Sequence, residues 1–257
     1  MTAPPNTSLK KQIPSSKKQI PSSHKYYRVT NYDSNAIQAR EGIRTFLRST
    51  EVQLIIFDLH GTITNRTSIH PYHIKYRNKY IENKLGNPLS ENYMGGTDET
   101  FALFHQLDKH EFYKFRDNDP LFDFGKIHLP NPLLAVKLKS LSKRFKTILY
   151  TDSYLRQIER TLISIGIHDT FDSIIGMENG HRKSTSQFTI YPELCSNLDI
   201  EMSNILIVGD RMDKDINPVL QVGGNGIQIE SSAYILDAIE LINKTFTKGV
   251  QTIVCKS

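Results

Sequence analysis

The 257-residue chain is 38% hydrophobic and 23% charged, a balance that suits a soluble globular protein with one sizeable core and excludes a wholly disordered or membrane-embedded one. No run approaches the roughly 18 apolar residues of a membrane span and the N-terminus has no apolar leader segment, while Cys195 and Cys255 are too few for a disulfide framework or a cysteine-based zinc site, so a reducing, cytoplasmic setting is expected. The net charge of +5 is carried by residues 1–32, which hold Lys10, Lys11, Lys17, Lys18, Lys25 and Arg28 and no acid; the remainder sums to about −1, so no specific nucleic-acid partner is expected.

Residues 1–30 are expected to be a disordered basic tail. Within them KKQIPSS occurs twice in tandem, as Lys10–Ser16 and Lys17–Ser23. Pro14 and Pro21 break any helix there, so the seven-residue period is not a coiled-coil heptad. Ordered structure is expected from about Ser34, with Ala36, Ile37, Ile43 and Leu47 at helical spacing.

Gln53–Phe57 is short and almost wholly apolar, the pattern of a strand buried on both faces. Residues 65–130 then carry no clear strand. They contain helical stretches at about 71–84 and 98–115, and read as a helical lobe inserted after the first core strand. Tyr72, Tyr76 and Tyr80 are spaced to share one face, which would pack the lobe's own core. Lys75 or Arg77 could reach a second anionic group on a ligand, and Gly95-Gly96 reads as a joint. His70 and His73 have a zinc-like spacing, but no cysteine or further ligand supports them. The lobe ends at Pro130-Asn131-Pro132, a natural start for the next helix.

Strand runs at Thr147–Tyr150, Asn204–Val208 and Gly226–Ile229, with a weaker one at Ser173–Ile175, alternate with helical periodicity at 133–141, 155–165 and 235–242. This alternation predicts an α/β fold: a Rossmann-like parallel sheet with helices on both faces, built from residues 31–64 and 131–257, carrying the 65–130 insert.

In such a sheet, ligands meet the carboxyl ends of the strands. Asp58-Leu59-His60-Gly61-Thr62 follows the first core strand, Thr151-Asp152-Ser153 the next, and Gly209-Asp210-Arg211-Met212-Asp213-Lys214-Asp215 a later one, with Arg182-Lys183 between the last two. Carboxylates, a hydroxyl and a cation on one edge suit phosphoryl transfer. A carboxylate can attack phosphorus, a hard cation such as Mg²⁺ can screen it from the phosphate, and hydroxyl and ammonium groups can stabilise the equatorial oxygens.

The order and spacing of these motifs, from about Gln53 to Ile229, resemble the haloacid-dehalogenase-like superfamily, with the insert where that family's C1-type helical cap lies. The resemblance implies a Mg²⁺-dependent phosphatase acting on a small phosphorylated metabolite through an aspartyl-phosphate. It implies Asp58 as nucleophile, Thr151 as phosphate-binding hydroxyl and Lys183 as the steadying cation, with Arg182 an alternative for that last role. Asp210 and Asp215 would hold the metal together with Asp58 and the His60 carbonyl. His60 stands where phosphatases of the family usually carry a second, acid/base Asp. Three outcomes stay open: His60 acts as acid/base, the phosphoenzyme turns over slowly, or the chain is a phospholigand-binding protein without catalysis.

Overall fold

A computed structural model of the chain describes residues 26–29, 51–86, 100–101, 104, 107–119, 123–179, 183 and 189–247. The KKQIPSS copies, the helix expected from Ser34 and the Gly95-Gly96 joint lie outside them. The described strands are β1 (Tyr26–Val29), β2 (Leu54–Phe57), β3 (Lys146–Tyr150), β4 (Ser173–Ile175), β5 (Ile205–Gly209) and β6 (Asn225–Ile229). All pair in parallel, in the order β1-β6-β5-β2-β3-β4. The described helices are α1 (Arg66–Leu85), α2 (Lys109–Asn118), α3 (Pro132–Ser142), α4 (Leu155–Ile165), α5 (Ile190–Leu198), α6 (Asn217–Gln221) and α7 (Ile235–Thr247).

The apolar runs become the inner strands for the expected reason. Ile55, Phe57, Leu149, Leu206 and Val208 pack on one face of the sheet with Leu134, Leu138, Ile158, Leu162 and Ile239 of α3, α4 and α7. Their neighbours Leu54, Ile56, Ile148, Ile205 and Ile207 pack on the other face with Ile190, Cys195, Val219 and Leu220 of α5 and α6. A strand flanked on both sides needs apolar residues at every position, each contributing about 1.5–3 kcal/mol on burial. Helix α3 begins as expected: Pro132 is at its first turn and the Asn131 side chain accepts from the Leu134 N–H at 3.0 Å.

Three expectations are corrected. Tyr26–Val29 falls inside the expected tail but is a strand, paired with β6 from Tyr26↔Gly226 to Val29↔Ile229. Tyr26, Tyr27 and Val29 are residue types that favour strands, a signal masked by the polar stretch before them. The second lobe helix is not continuous over 98–115. The chain is helical at Thr100-Phe101, leaves the helix by Leu107-Asp108 and starts α2 at Lys109. The Asp108 carbonyl accepts the Phe112 N–H at 3.1 Å, as suits a residue type that favours helix starts. Finally, Tyr76 and Tyr80 are buried as expected, but Tyr72 is 50% exposed. Eight residues overshoot two full turns by about 80°, so the first tyrosine drifts off the face.

Ile69, Tyr76, Tyr80, Ile81, Phe101 and Phe112 form their own apolar cluster between α1 and α2. No described helix is long and apolar enough to cross a membrane.

Candidate active site

The sheet order places the site. From the central β2 the chain moves outward to β3 and β4, then returns to β5 and β6 on the other side. The crevice at the carboxyl end of β2 is therefore the topological switch point. Registers Phe57↔Leu149 and Phe57↔Val208 bring the residues just beyond these strands to one level. Asp58, Thr151 and Asp210 thus share one edge, and Thr151 is buried there.

Asp58 sits on a tight loop. Gly61 has φ +103°, and a Cβ on it would lie 2.2 Å from Asp210 Oδ2, so only glycine lets the loop after β2 and the loop after β5 approach this closely. The same holds at Gly209, where a Cβ would lie 2.4 Å from that of Asp215. Beyond Gly209 the chain makes a single π-helical turn, Met212–Ile216, in which the Ile216 N–H reaches back to Arg211 O at 3.3 Å. Such turns commonly occur at functional sites. This one buries Asp215 under Asp58, with Asp215 Oδ2 accepting from the Arg211 N–H at 2.9 Å.

Lys183 ties the set together. Its buried ammonium donates to Asp58 Oδ1 and, at 2.6 Å, to Asp215 Oδ1. Its backbone N–H is held by Asp152 Oδ1 at 2.7 Å, and its Nζ lies 5.4 Å from the Tyr150 ring centroid. Burial opposes the ammonium's charge, but Asp215 and Asp58 outweigh it and hold Lys183 protonated. Arg182 lies outside the described residues. Burial raises the Asp58 carboxyl to about 7, with Asp215 and Asp210 adding to the rise and Lys183 opposing it. Burial likewise raises Asp210, helped by Asp215.

One oxygen from each of Asp58, Asp210 and Asp215 lies within 4.8 Å of the others. Against these three carboxylates stand one buried ammonium and the half-exposed Arg66 guanidinium, so negative charge remains in excess and a cation would offset it. Asp210 Oδ1 is buried without a hydrogen-bond partner, while its Oδ2 lies 3.6 Å from Arg66 Nη1. An orphaned buried carboxylate oxygen beside two other carboxylates fits a hard, oxygen-ligated cation.

His60 is also drawn into the site, through its ring. Nδ1 lies 2.9 Å from Thr64 Oγ1 and Nε2 lies 2.9 Å from Ser153 Oγ. The imidazole therefore bridges the loop after β2 to the loop after β3. Burial, together with the nearby His128, Arg116, Arg66 and Lys183, pushes its pKa down to about 3, so it is neutral near pH 7.

Sequence reasoning misses several contributors. Thr62 donates to Asp58 Oδ2 at 3.1 Å; its place in the DLHGT run is the available signal. Ser153 and Asp152 lie in the TDS run, which also reads as a helix cap, but α4 is capped at Tyr154 without a side-chain bond. Arg66 and Arg116 have no local signal, because only the docking of the lobe brings them near the sheet edge. Of the two cations offered for a second anionic group, Arg77 is fully buried and donates to Asn78 Oδ1 at 2.9 Å, while Lys75 is exposed.

Residues 55–223 match the family described as "Haloacid dehalogenase-like hydrolase". No curated protein matches the chain in sequence. Among solved structures, the fold is similar to that of a predicted phosphoglycolate phosphatase from Haemophilus somnus 129pt, at 19% identity and TM-score 0.51 over 74% of this chain and 98% of that one. It is similar also to a HAD hydrolase, family IA, variant 3, from Entamoeba histolytica HM-1:IMSS, at 14% identity and TM-score 0.50 over 74% of this chain and 99% of that one. At these identities the likeness is one of fold.

Proposed function

The chain belongs to the haloacid dehalogenase-like hydrolase family, and from that premise we propose that it is a Mg²⁺-dependent phosphatase of small phosphorylated metabolites. The single observation that carries this reading is the buried Asp58–Lys183–Asp215 pairing beside the orphaned Asp210 oxygen. A carboxylate held by an ammonium and a hydroxyl, at the open end of a parallel sheet, is placed to act as a nucleophile. Thr62 fixes Asp58 Oδ2 and Lys183 takes Oδ1, so the carboxylate is oriented before substrate arrives.

In this reading an Asp58 oxygen attacks phosphorus, the bond to the substrate's ester oxygen breaks, and that oxygen leaves as an alcohol with a proton taken from solvent, which the second step returns. Water then attacks the aspartyl-phosphate, releasing inorganic phosphate and restoring Asp58. Thr151 and Lys183 donate to the equatorial phosphoryl oxygens, where charge gathers in a loose transition state. Asp58, Asp210, Asp215 and the His60 carbonyl would hold Mg²⁺, which when bound supplies positive charge between carboxylates and phosphate. The lobe of residues 65–130 serves as the cap, limiting water and bulky substrates.

His60 favours a second outcome within the same chemistry. A neutral imidazole engaged with two hydroxyls has no ready proton for the leaving oxygen, and a pKa near 3 makes it a weak base. Turnover should then be limited by proton transfer, with as much as about 10²–10⁴-fold at stake.

The test is phosphate release from a panel of small phosphomonoesters with Mg²⁺ and with chelator. Wild type should release phosphate only with the metal, and Asp58→Asn should lose about 10⁴-fold or more. His60→Asp should raise the rate if proton transfer is limiting. Equal release by wild type and Asp58→Asn would sink the phosphatase reading and leave a phospholigand-binding protein.

A further inference from the structure

The peptide group between Asp210 and Arg211 is pinned at both ends. Its N–H, that of Arg211, donates to Asp215 Oδ2 at 2.9 Å. Its carbonyl, Asp210 O, accepts from Gln228 Nε2 at 3.0 Å. Gln228 has no part in the chemistry at Asp58; it lies on β6, 18 residues further along the chain than Asp210. Strands β5 and β6 pair in the register Gly209↔Gln228, so Gln228 stands beside the last residue of β5, level with the start of the acidic loop. Its strand neighbours Ile227 and Ile229 are fully buried, and Gln228 is itself half-buried. A glutamine set among apolar residues of an inner strand must satisfy its amide. This one does so on the main chain of the loop that carries Asp210 and Asp215.

A peptide group moves as one rigid plane. Strand β5 holds the chain before Asp210 and Gln228 holds the peptide after it, so the direction of the Asp210 Cα–Cβ bond is set. Asp210 Oδ1 is buried without a hydrogen-bond partner, and the place of that oxygen depends on the main chain behind it. The same peptide aims the Arg211 N–H at Asp215, so one bond from β6 steadies two of the three carboxylates. Groups that orient metal ligands from behind typically govern affinity by about 10–100-fold. We propose that Gln228 is a positioning residue of the metal site, holding the Asp210–Arg211 peptide so that Asp210 and Asp215 are set for a divalent cation. This rests on the reading of Asp58, Asp210 and Asp215 as the Mg²⁺ site.

The test is calorimetric titration of the full-length chain with Mg²⁺ alone, with no phosphoester present. Gln228→Met keeps the length of the side chain and loses the donor. It should bind Mg²⁺ about tenfold or more weakly than wild type. In chelator it should melt only about 2–4 °C lower, as suits the loss of one hydrogen bond. A variant that melts lower yet binds Mg²⁺ within about twofold of wild type overturns the proposal, because Gln228 would then support the fold and not the site. If Gln228→Met does not fold, Gln228→Glu takes its place. That variant brings a negative charge toward the cation but no donor, so weaker binding than wild type supports positioning, and equal or tighter binding overturns it. Wild type that binds Mg²⁺ while the variants bind equally well rejects this role alone. Wild type that binds no Mg²⁺ rejects the metal reading, and this role with it.

Discussion

The sheet edge and the lobe above it hold opposite charge by different means. At the edge, Asp58, Asp210 and Asp215 converge because the paired strands β2 and β5 end side by side at the switch point, and one buried ammonium is set among them. In the lobe, Arg77 and Arg116 are carried on helices around an aromatic cluster and settled by a side-chain amide, an imidazole and a tyrosine face. The edge depends on compensation between full charges, so losing one partner leaves another stranded in a buried setting. The lobe spreads its cations over neutral polar and aromatic groups, which tolerate change more gradually.

Breaking the edge should give the largest effect. Lys183→Met leaves Asp58 and Asp215 facing each other without their shared cation, and should cost about 3–5 kcal/mol of stability in denaturant titrations without metal. A loss below about 1 kcal/mol would mean that the two carboxylates share a proton instead. Metal should come next. Saturating Mg²⁺ should stabilise wild type by about 2.7 kcal/mol at 100 times its dissociation constant, and Asp210→Asn should remove most of that gain. A full Mg²⁺ gain in Asp210→Asn would place the cation elsewhere.

The last effect expected is one of pH. Asp58 titrates near 7 in the folded chain against 3.8 for the free group, so the folded state takes up its proton first. Its charged form therefore weakens the metal-free protein as pH rises from about 4 through 7. The depressed pKa of His60 acts oppositely, removing stability as pH falls below 6.5. Comparing wild type with Asp58→Asn in chelator isolates the first contribution. The Asn variant should melt higher at pH 8, and its advantage should shrink toward pH 5. A constant difference across that range would show that Asp58 is not held protonated by its surroundings.

Much of the edge is legible in the sequence because it obeys strand grammar. QLIIF, TILY and NILIV announce buried strands, and the residues after each must lie at the carboxyl edge whatever the lobe does. Lys183 is legible only as one of two neighbouring cations. The lobe is less so. Its tyrosine face stops short of Tyr72, and its second helix begins later than its apolar residues suggest. Arg116 looks like any charge on a polar helix. Strand β1 escapes notice because four residues at a sheet edge leave little periodicity to read.

By itself the sequence determined the parallel α/β sheet, the edge on which chemistry can occur, and the carboxylates and cation that reach it. Strand-end residues are local consequences of short apolar runs, and local order survives without knowledge of packing. Only the tertiary structure decided that Lys183 lies between Asp58 and Asp215, that His60 is clamped between Thr64 and Ser153, and that Arg116 turns inward. Each depends on distance between segments far apart in the chain: His60 and Ser153 are 93 residues apart, and Lys183 and Asp58 are 125 apart. Such contacts are set by how helices dock on the sheet, which no local pattern encodes.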